Sequence, residues 1–448
     1  MFIMKIFNSY TNQLETFVPR HKGFVSMYVC GPTVYNYIHI GNARPVVVFD
    51  TVRRYFEFQG MTVKFVSNFT DVDDKIIQKA KEEKVDEKII SEKYINAFLN
   101  DVASLNSRTD YIKPKVTEYM PKIVDYIQEL INIGFAYEID GDVYFRVSKL
   151  NEYGHLSNRK LDDLIAGSRV EINEKKESPL DFTLWKRTEE GIHWHTNFSD
   201  GRPGWHTECV AMIEDIFGEE IDIHGGGTDL MFPHHENEIA QSLAKNHHTV
   251  AHYWMHNGRL NLEGEKMSKS IGNVILVKDL KASKLAFRMF LLSTHYRSPL
   301  NYSTEALEVF EKEWQKVQKT VEQLYRLLDL NNQLDENKAI IATDLIEINR
   351  YFIDSMEADF NTPNALTALN QLMKAINSKL RQKPDFEWLN QAYALTSQLL
   401  FVLGLDFKLT PLSIGDKALI KAWEQARIDK DFEKADQLRQ TLVSKGLV

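Results

Sequence analysis

A thiol, Cys30, ends a short apolar run, FVSMYV at residues 24–29, and is followed at once by Gly31 and Pro32. β-Favouring residues followed by a Gly-Pro break predict a strand that stops at the thiol. From Tyr37 onward the spacing turns helical and sets His39 and Asn42 three residues apart on one face, with Gly41 between them. In open α/β sheets ligands bind beyond the carboxyl ends of strands, and the first turn of a helix attracts phosphate. A sulfur, an imidazole and an amide at one strand-to-helix junction therefore suit a site for an anionic ligand. An ordinary βα turn with a buried cysteine and a surface histidine fits the same stretch.

The second cysteine, Cys209, lies in WHTEC, and PHHENEIAQSLAK follows at residues 233–245. Proline at a first helical position predicts a helix starting at Pro233. On it His234 and Glu238 share a face, whereas His235 has Ile239 one turn on and looks the poorer ligand. Cys30, Cys209, His234 and Glu238 would make a donor set of two sulfurs, a nitrogen and an oxygen, which zinc accepts in tetrahedral geometry. No Cys-x-x-Cys spacing ties the four together, and spacing equally allows Glu238 to solvate its helix and His234 to be satisfied locally.

Lys266, Ser268 and Lys269 lie in KMSKS, after a strand-like run at 253–262. Two lysines with interleaved hydroxyls suit a triphosphate, whose transfer chiefly needs charge stabilisation, although a solvated loop has the same composition. HGGGTDL, residues 224–230, offers glycines such as Gly226 for close backbone approach and Asp229 for a ribose or an ammonium. Neither GxxxxGK[ST] nor GxGxxG occurs, which excludes P-loop and dinucleotide readings.

The elements that position these groups need a large scaffold. At 448 residues, with 43% hydrophobic and 26% charged content, the chain is expected to form several soluble domains. No apolar run is long enough to span a bilayer, and MFIMKIFNSYTNQ has no signal-peptide core, so a cytoplasmic location and no membrane partner are expected. A net charge of −9 argues against a general nucleic-acid coat protein but leaves room for one RNA bound on a local basic surface. Two cysteines exclude a secreted disulfide scaffold.

Residues 1–107 read as α/β, with a strand near 63–66, a long helix over 76–105 and a further helical stretch over 114–135. Residues 108–200, irregular from 151 to 187, read as an insertion between two halves of one sheet, the second half spanning 201–278. Beyond Asp279 the chain is mostly helical. Leu307, Phe310, Trp314, Val317, Val321, Leu324 and Leu328 alternate steps of three and four, the apolar stripe of a bundle helix. Polar linkers near 331–338 and 408–416 separate a region at 279–330, a helical region at 331–407 and a final helical pair at 408–448.

HIGN and KMSKS together resemble the two motifs of class I aminoacyl-tRNA synthetases. CGPTVYNYIHIGNARP, NFTDVDDKI, RPGWHTECVAM, DIHGGGTDLMFPHHENEIAQS, YWMHNGRL, EKMSKSIGN, STHYRSPLNYS and DFNTPNAL, in this order, resemble the cysteinyl-tRNA synthetases over nearly the whole chain. The resemblance implies a Rossmann-like α/β catalytic domain with an insertion, followed by all-α domains that approach tRNA(Cys). It implies one zinc per chain on Cys30, Cys209, His234 and Glu238, and magnesium with ATP. It implies ATP contacts from His39, Gly41, Asn42, Gly226, Asp229, Lys266, Ser268 and Lys269, of which His39, Asn42, Lys266 and Lys269 are catalytic. Trp205 would wall the cysteine pocket, with Tyr28, Gly31, Thr33, Thr70 and Asp229 around it. A monomer is expected.

Two departures from the family pattern stand out. The first motif ends in Asn42 where histidine is usual, which predicts altered efficiency rather than lost activity. The chain stops at Gly446-Leu447-Val448, short of a basic, aromatic tail common in the family, which predicts weaker anticodon readout.

Overall fold

The computed structural model describes residues 4–159, 175–262, 274–335 and 337–447, and the backbone of residues 265–266. They form two compact units: residues 1–311, 354–364 and 402–404, and residues 312–353, 365–401 and 405–448. No helix among the described residues is long and apolar enough to cross a membrane.

The first unit is organised on four parallel strands, β1 (Phe24–Val29), β2 (Thr62–Ser67), β3 (Ile221–Gly227) and β4 (Ala251–Asn257), in the order β4-β3-β1-β2. Helix α1 (Ile40–Phe58) joins β1 to β2, α2 (Trp205–Phe217) precedes β3, and α3 (Glu236–Asn246) joins β3 to β4. The chain leaves β1 toward one edge and leaves β3 toward the other. The crevice between their carboxyl ends is thus a topological switch point, where such sheets bind ligands. Register brings the ends level: Val29 pairs with Gly225 and with Ser67, and the Cys30 amide donates to the Gly225 carbonyl at 3.2 Å. Burial on both faces explains the near-continuous apolar character of β1.

Several local expectations are corrected. The helix expected over 76–105 is two, Asp74–Glu83 and Glu87–Ser104, separated where Lys84 turns left-handed at φ 56°. The helix expected from Pro233 does start there: Phe232 is the last extended residue (φ −138°, ψ 132°), the first turn is wide, and the regular helix runs over Glu236–Asn246. The run at 253–262 is broken into β4 and Leu260–Leu262 by Gly258, where a Cβ would lie 2.5 Å from the Ser298 carbonyl oxygen. The stretch read as irregular contains Phe182–Arg187, a strand of a five-stranded antiparallel sheet in which Leu184 and Trp185 are fully buried.

In the second unit the apolar stripe lies on one long helix, Thr304–Leu330, with Trp314, Val317, Val321, Leu324 and Leu328 all buried. The final pair comprises Ile414–Ile428 and Phe432–Ser444, and closes over a small cluster of Leu330, Ile420 and Leu442.

Candidate metal centre and cleft

Cys30 at the end of β1, Cys209 in α2, His234 in the turn before α3 and Glu238 in α3 converge, their donor atoms all within 4.8 Å of one another. The Cys30 Sγ lies 3.7 Å from the Cys209 Sγ, 3.4 Å from His234 Nε2 and 3.6 Å from Glu238 Oε1. His234 Nε2 lies 3.8 Å from the Cys209 Sγ and 2.9 Å from Glu238 Oε1. Only Cys30 is partly exposed; the other three are buried.

Four ionisable groups packed this closely set each other's charge. Burial alone would raise the Glu238 carboxyl, but His224 and His234 hold it well below the usual carboxylate range. Burial alone would lower His234, but Glu238 and Cys209 hold it at about 10. The hydrogen bond from Cys30, helped by His234, brings Cys209 down to about 7 against burial. Burial, reinforced by the neighbouring Cys209, pushes the Cys30 thiol well up. The set gathers anionic donors in a dry place, which a divalent cation would neutralise. Two sulfurs, an imidazole and a carboxylate at these separations fit zinc.

Histidines that sequence reasoning left aside surround this set. His224, the end residue of IDIH, places Nε2 2.5 Å from Glu238 Oε2 while its Nδ1 bonds the Tyr28 carbonyl at 2.9 Å. His235, passed over because of Ile239, points Nε2 at Cys30 from 3.4 Å, as close as His234 does. Cys30, His224, His235 and Glu238 thus form a second cluster of the same compactness. Glu238 turns Oε1 to the thiol-rich set and Oε2 to His224, so His224 acts as the outer partner that orients the carboxylate. A histidine beside Gly225 at a strand's carboxyl end was the available signal.

Trp205 stacks on His234 with ring centroids 4.2 Å apart at 24°, and remains 41% exposed. It can wall a small ligand sitting over the donors. Thr33 and Thr70 face each other in a parallel bridge, and the buried Thr70 hydroxyl donates to Glu208 at 3.0 Å. Tyr28 is fully buried, its hydroxyl against the Met212 sulfur at 3.6 Å, so it lies beneath the cluster rather than on the cleft wall.

A cavity of about 390 Å³ opens beside the donors, lined in part by Cys30, Gly31, His39, Gly41, Asn42, Gly226 and Asp229. His39 is the N-cap of α1. Its Nδ1 accepts from the Asn42 amide at 3.3 Å, and the Asn42 Oδ1 accepts from the His39 amide at 3.2 Å, a reciprocal capping box. Asn42 thus keeps its side-chain NH₂ for a ligand. The Ile40 amide donates to the Ile275 carbonyl at 2.9 Å and the Val277 amide to Ile38 at 3.1 Å, which ties the stretch after KMSKS to the His39 turn. Ser268, Lys269 and the Lys266 side chain lie outside the described residues. Gly226 admits no side chain without cost, since a Cβ there would lie 2.9 Å from His235 and Leu230 atoms.

Two positioning residues lie in motifs of the sequence but were not singled out there. Arg44, fully buried, donates to the carbonyls of Gly258 (2.8 Å), Arg259 (2.9 Å) and Ser298 (2.6 Å), and so binds α1 to the cleft's far wall. Asp359 accepts from the Tyr296 hydroxyl and Arg297 Nε, both at 2.8 Å, and so holds the 295–298 loop.

A parallel sheet with a switch-point cleft, a histidine-capped first helix and an N-terminal-to-C-terminal change from α/β to all-α define a class I tRNA synthetase. The family model described as the class I (C) catalytic domain matches residues 16–312, and a DALR domain matches 351–408. The fold is similar to Mycobacterium tuberculosis methionyl-tRNA synthetase in complex with methionyl-adenylate (TM-score 0.61, 14% identity, 85% of this chain and 90% of that one). It is also similar to a leucyl synthetase from Agrobacterium radiobacter (TM-score 0.60, 10% identity, 87% and 85%). Cysteine–tRNA ligases from Geobacillus thermodenitrificans and Lysinibacillus sphaericus are 46% and 44% identical, over 99% of this chain and 96% and 97% of theirs. The chain belongs to the cysteine–tRNA ligase family.

Proposed function

We propose that this chain joins cysteine to tRNA(Cys) in two steps with ATP, and that Cys30, Cys209, His234 and Glu238 hold one zinc ion that recognises the substrate. In the first step a cysteine carboxylate oxygen attacks the α-phosphorus of ATP; an O–P bond forms and pyrophosphate leaves. In the second a ribose hydroxyl at the tRNA 3′ end attacks the acyl carbon, loses its proton, and AMP leaves. The substrates supply both nucleophiles, so the protein's part is positioning and charge stabilisation. The observation that carries the reading is the convergence of the four donors beside the His39–Asn42 helix mouth, at one switch point.

When bound, the zinc supplies an affinity for a thiolate that serine's hydroxyl lacks, a distinction that shape alone makes poorly between near-isosteric side chains. Trp205 covers the amino acid; Thr70, Thr33 and Asp229 offer polar contacts to its ammonium. His39, Asn42 and the α1 amides face the phosphates, and Lys266, Ser268 and Lys269 offset charge on them, with magnesium accompanying ATP. The enzyme is a cytoplasmic monomer, and its helical unit approaches the tRNA.

ATP–pyrophosphate exchange with a panel of amino acids tests the reading: cysteine alone should support exchange, and exchange with no amino acid or with another one as the best substrate overturns it. In the same assay Lys269→Ala should lose about a hundredfold or more in rate, as removal of one preorganised charge contact does. An unchanged rate would take Lys269 out of the chemistry.

A further inference from the structure

A basic groove in the second unit carries an assignment of its own. It has a volume of about 930 Å³ and nine lining residues, among them Lys316, Lys319, Lys374 and Arg381, and none of the nine is acidic. Lys316, Lys319 and Gln323 follow at steps of three and four along the helix Thr304–Leu330. Lys374 and Ser378 lie one turn apart near the end of the helix Thr362–Lys379, and Arg381 continues that line just past it. Two cationic ridges therefore face one another, each about 10 Å long at the rise of an α-helix. The floor between them is fixed by Asn377, whose amide donates to the Thr320 hydroxyl and the Met373 carbonyl, both at 2.8 Å.

The four cations are exposed, and among the described residues only Lys316 has an ion-pair partner, the surface residue Glu313 at 2.7 Å. A surface pair of this kind is worth little. Uncompensated like charges on both walls of one groove repel, and on a chain of net charge −9 their clustering is not a composition effect. In the final helical pair, by contrast, Lys417 is paired with Asp329 at 2.7 Å and Lys445 with Asp416 at 2.8 Å.

We propose that this groove seats the sugar–phosphate backbone of the tRNA, and that Lys319, Lys374 and Arg381 are its phosphate contacts. Neutral donors at Gln323 and Ser378 extend the cationic walls with contacts that position without reading bases. The proposal rests on the aminoacylation reading above, which wild-type exchange and charging test separately.

The test compares the full-length enzyme with Lys319→Gln, Lys374→Gln and Arg381→Gln, singly and together, in charging of a tRNA(Cys) transcript across a salt series. The triple variant should need about tenfold or more tRNA for half-maximal charging, with a salt slope shallower by about 0.9 for each contact removed. Pyrophosphate exchange, which needs no tRNA, reports whether each variant is folded and active. The charge reversal Lys319→Glu should exceed Lys319→Gln in effect. Unchanged half-saturation and slope in an exchange-competent triple variant overturn the proposal. It also falls if poly-glutamate displaces the tRNA as well as polyuridylate does at equal charge, for the groove would then be a general anion face.

Discussion

Cys209→Ala is expected to abolish zinc binding at the proposed site and to lower cysteine-dependent pyrophosphate exchange by roughly a thousandfold, the upper scale for removal of one preorganised electrostatic contact. Cys209 is a fully enclosed donor of the four-residue set. Its loss leaves Cys30, His234 and Glu238 sharing a dry site with no second sulfur to hold a soft cation. The aspartate variant at the same position restores an anionic donor, though an oxygen one, and should recover metal in part while gaining little cysteine preference. Metal analysis reads the first effect: about one zinc per chain in the wild type, as a four-ligand site implies, and far less in the alanine variant. The ratio of cysteine to serine activation reads the second, and it should also collapse in wild-type protein stripped of metal. An alanine variant that keeps its zinc and its exchange rate would show that Cys209 is a core residue and no ligand. Circular dichroism separates loss of metal from loss of fold.

The parts of this site visible in the sequence are those whose geometry is local. His39 and Asn42 are three residues apart and form the cap of one helix; His234 and Glu238 are one turn apart and meet at 2.9 Å. Cys30 and Cys209 meet only through the register of β1, β3 and α2, which no spacing encodes; family resemblance supplied that link. His235 shows the cost of reasoning from paired donors. His235 reaches the Cys30 sulfur at 3.4 Å although Ile239 lies one turn on, because a single donor on a helix needs no second donor at i+4 to face a site. Arg44 was hidden for another reason. A buried arginine bonded to backbone carbonyls of a distant segment has the sequence appearance of any helix-surface arginine. The sheet containing Phe182–Arg187 escaped notice because its inward residues, Leu184 and Trp185, are adjacent rather than alternating.

Gly31→Ala should destabilise the protein by several kcal/mol, on the order of the largest single-residue effects, or prevent folding. The cause is a backbone approach that no side chain can share. A Cβ on Gly31 would lie 1.6 Å from the Asn68 carbonyl oxygen and 2.7 Å from its carbon, and it would crowd the Ser67 hydroxyl at 3.2 Å. Relief requires the ends of β1 and β2 to part, because the obstacle is main chain and cannot rotate away. Parting them would strain the bond from the Gly31 amide to the Asn68 side chain at 2.9 Å, and with it the neighbouring Cys30, whose own amide is held by Gly225. Any fraction that still folds should therefore bind zinc poorly as well as melt early, although Gly31 contributes no donor atom. Gly415→Ala is the matched control. It lies in the first turn of a helix, where the nearest atom to an added Cβ is the Ser413 Oγ at 3.8 Å, so that variant should melt at or slightly above the wild-type temperature. Thermal unfolding with metal content measured on the same samples decides the matter: a Gly31→Ala protein that melts with the wild type and carries a full zinc would mean that the strand ends yield freely, and that the close approach of β1 to β2 does not hold the metal donors in place.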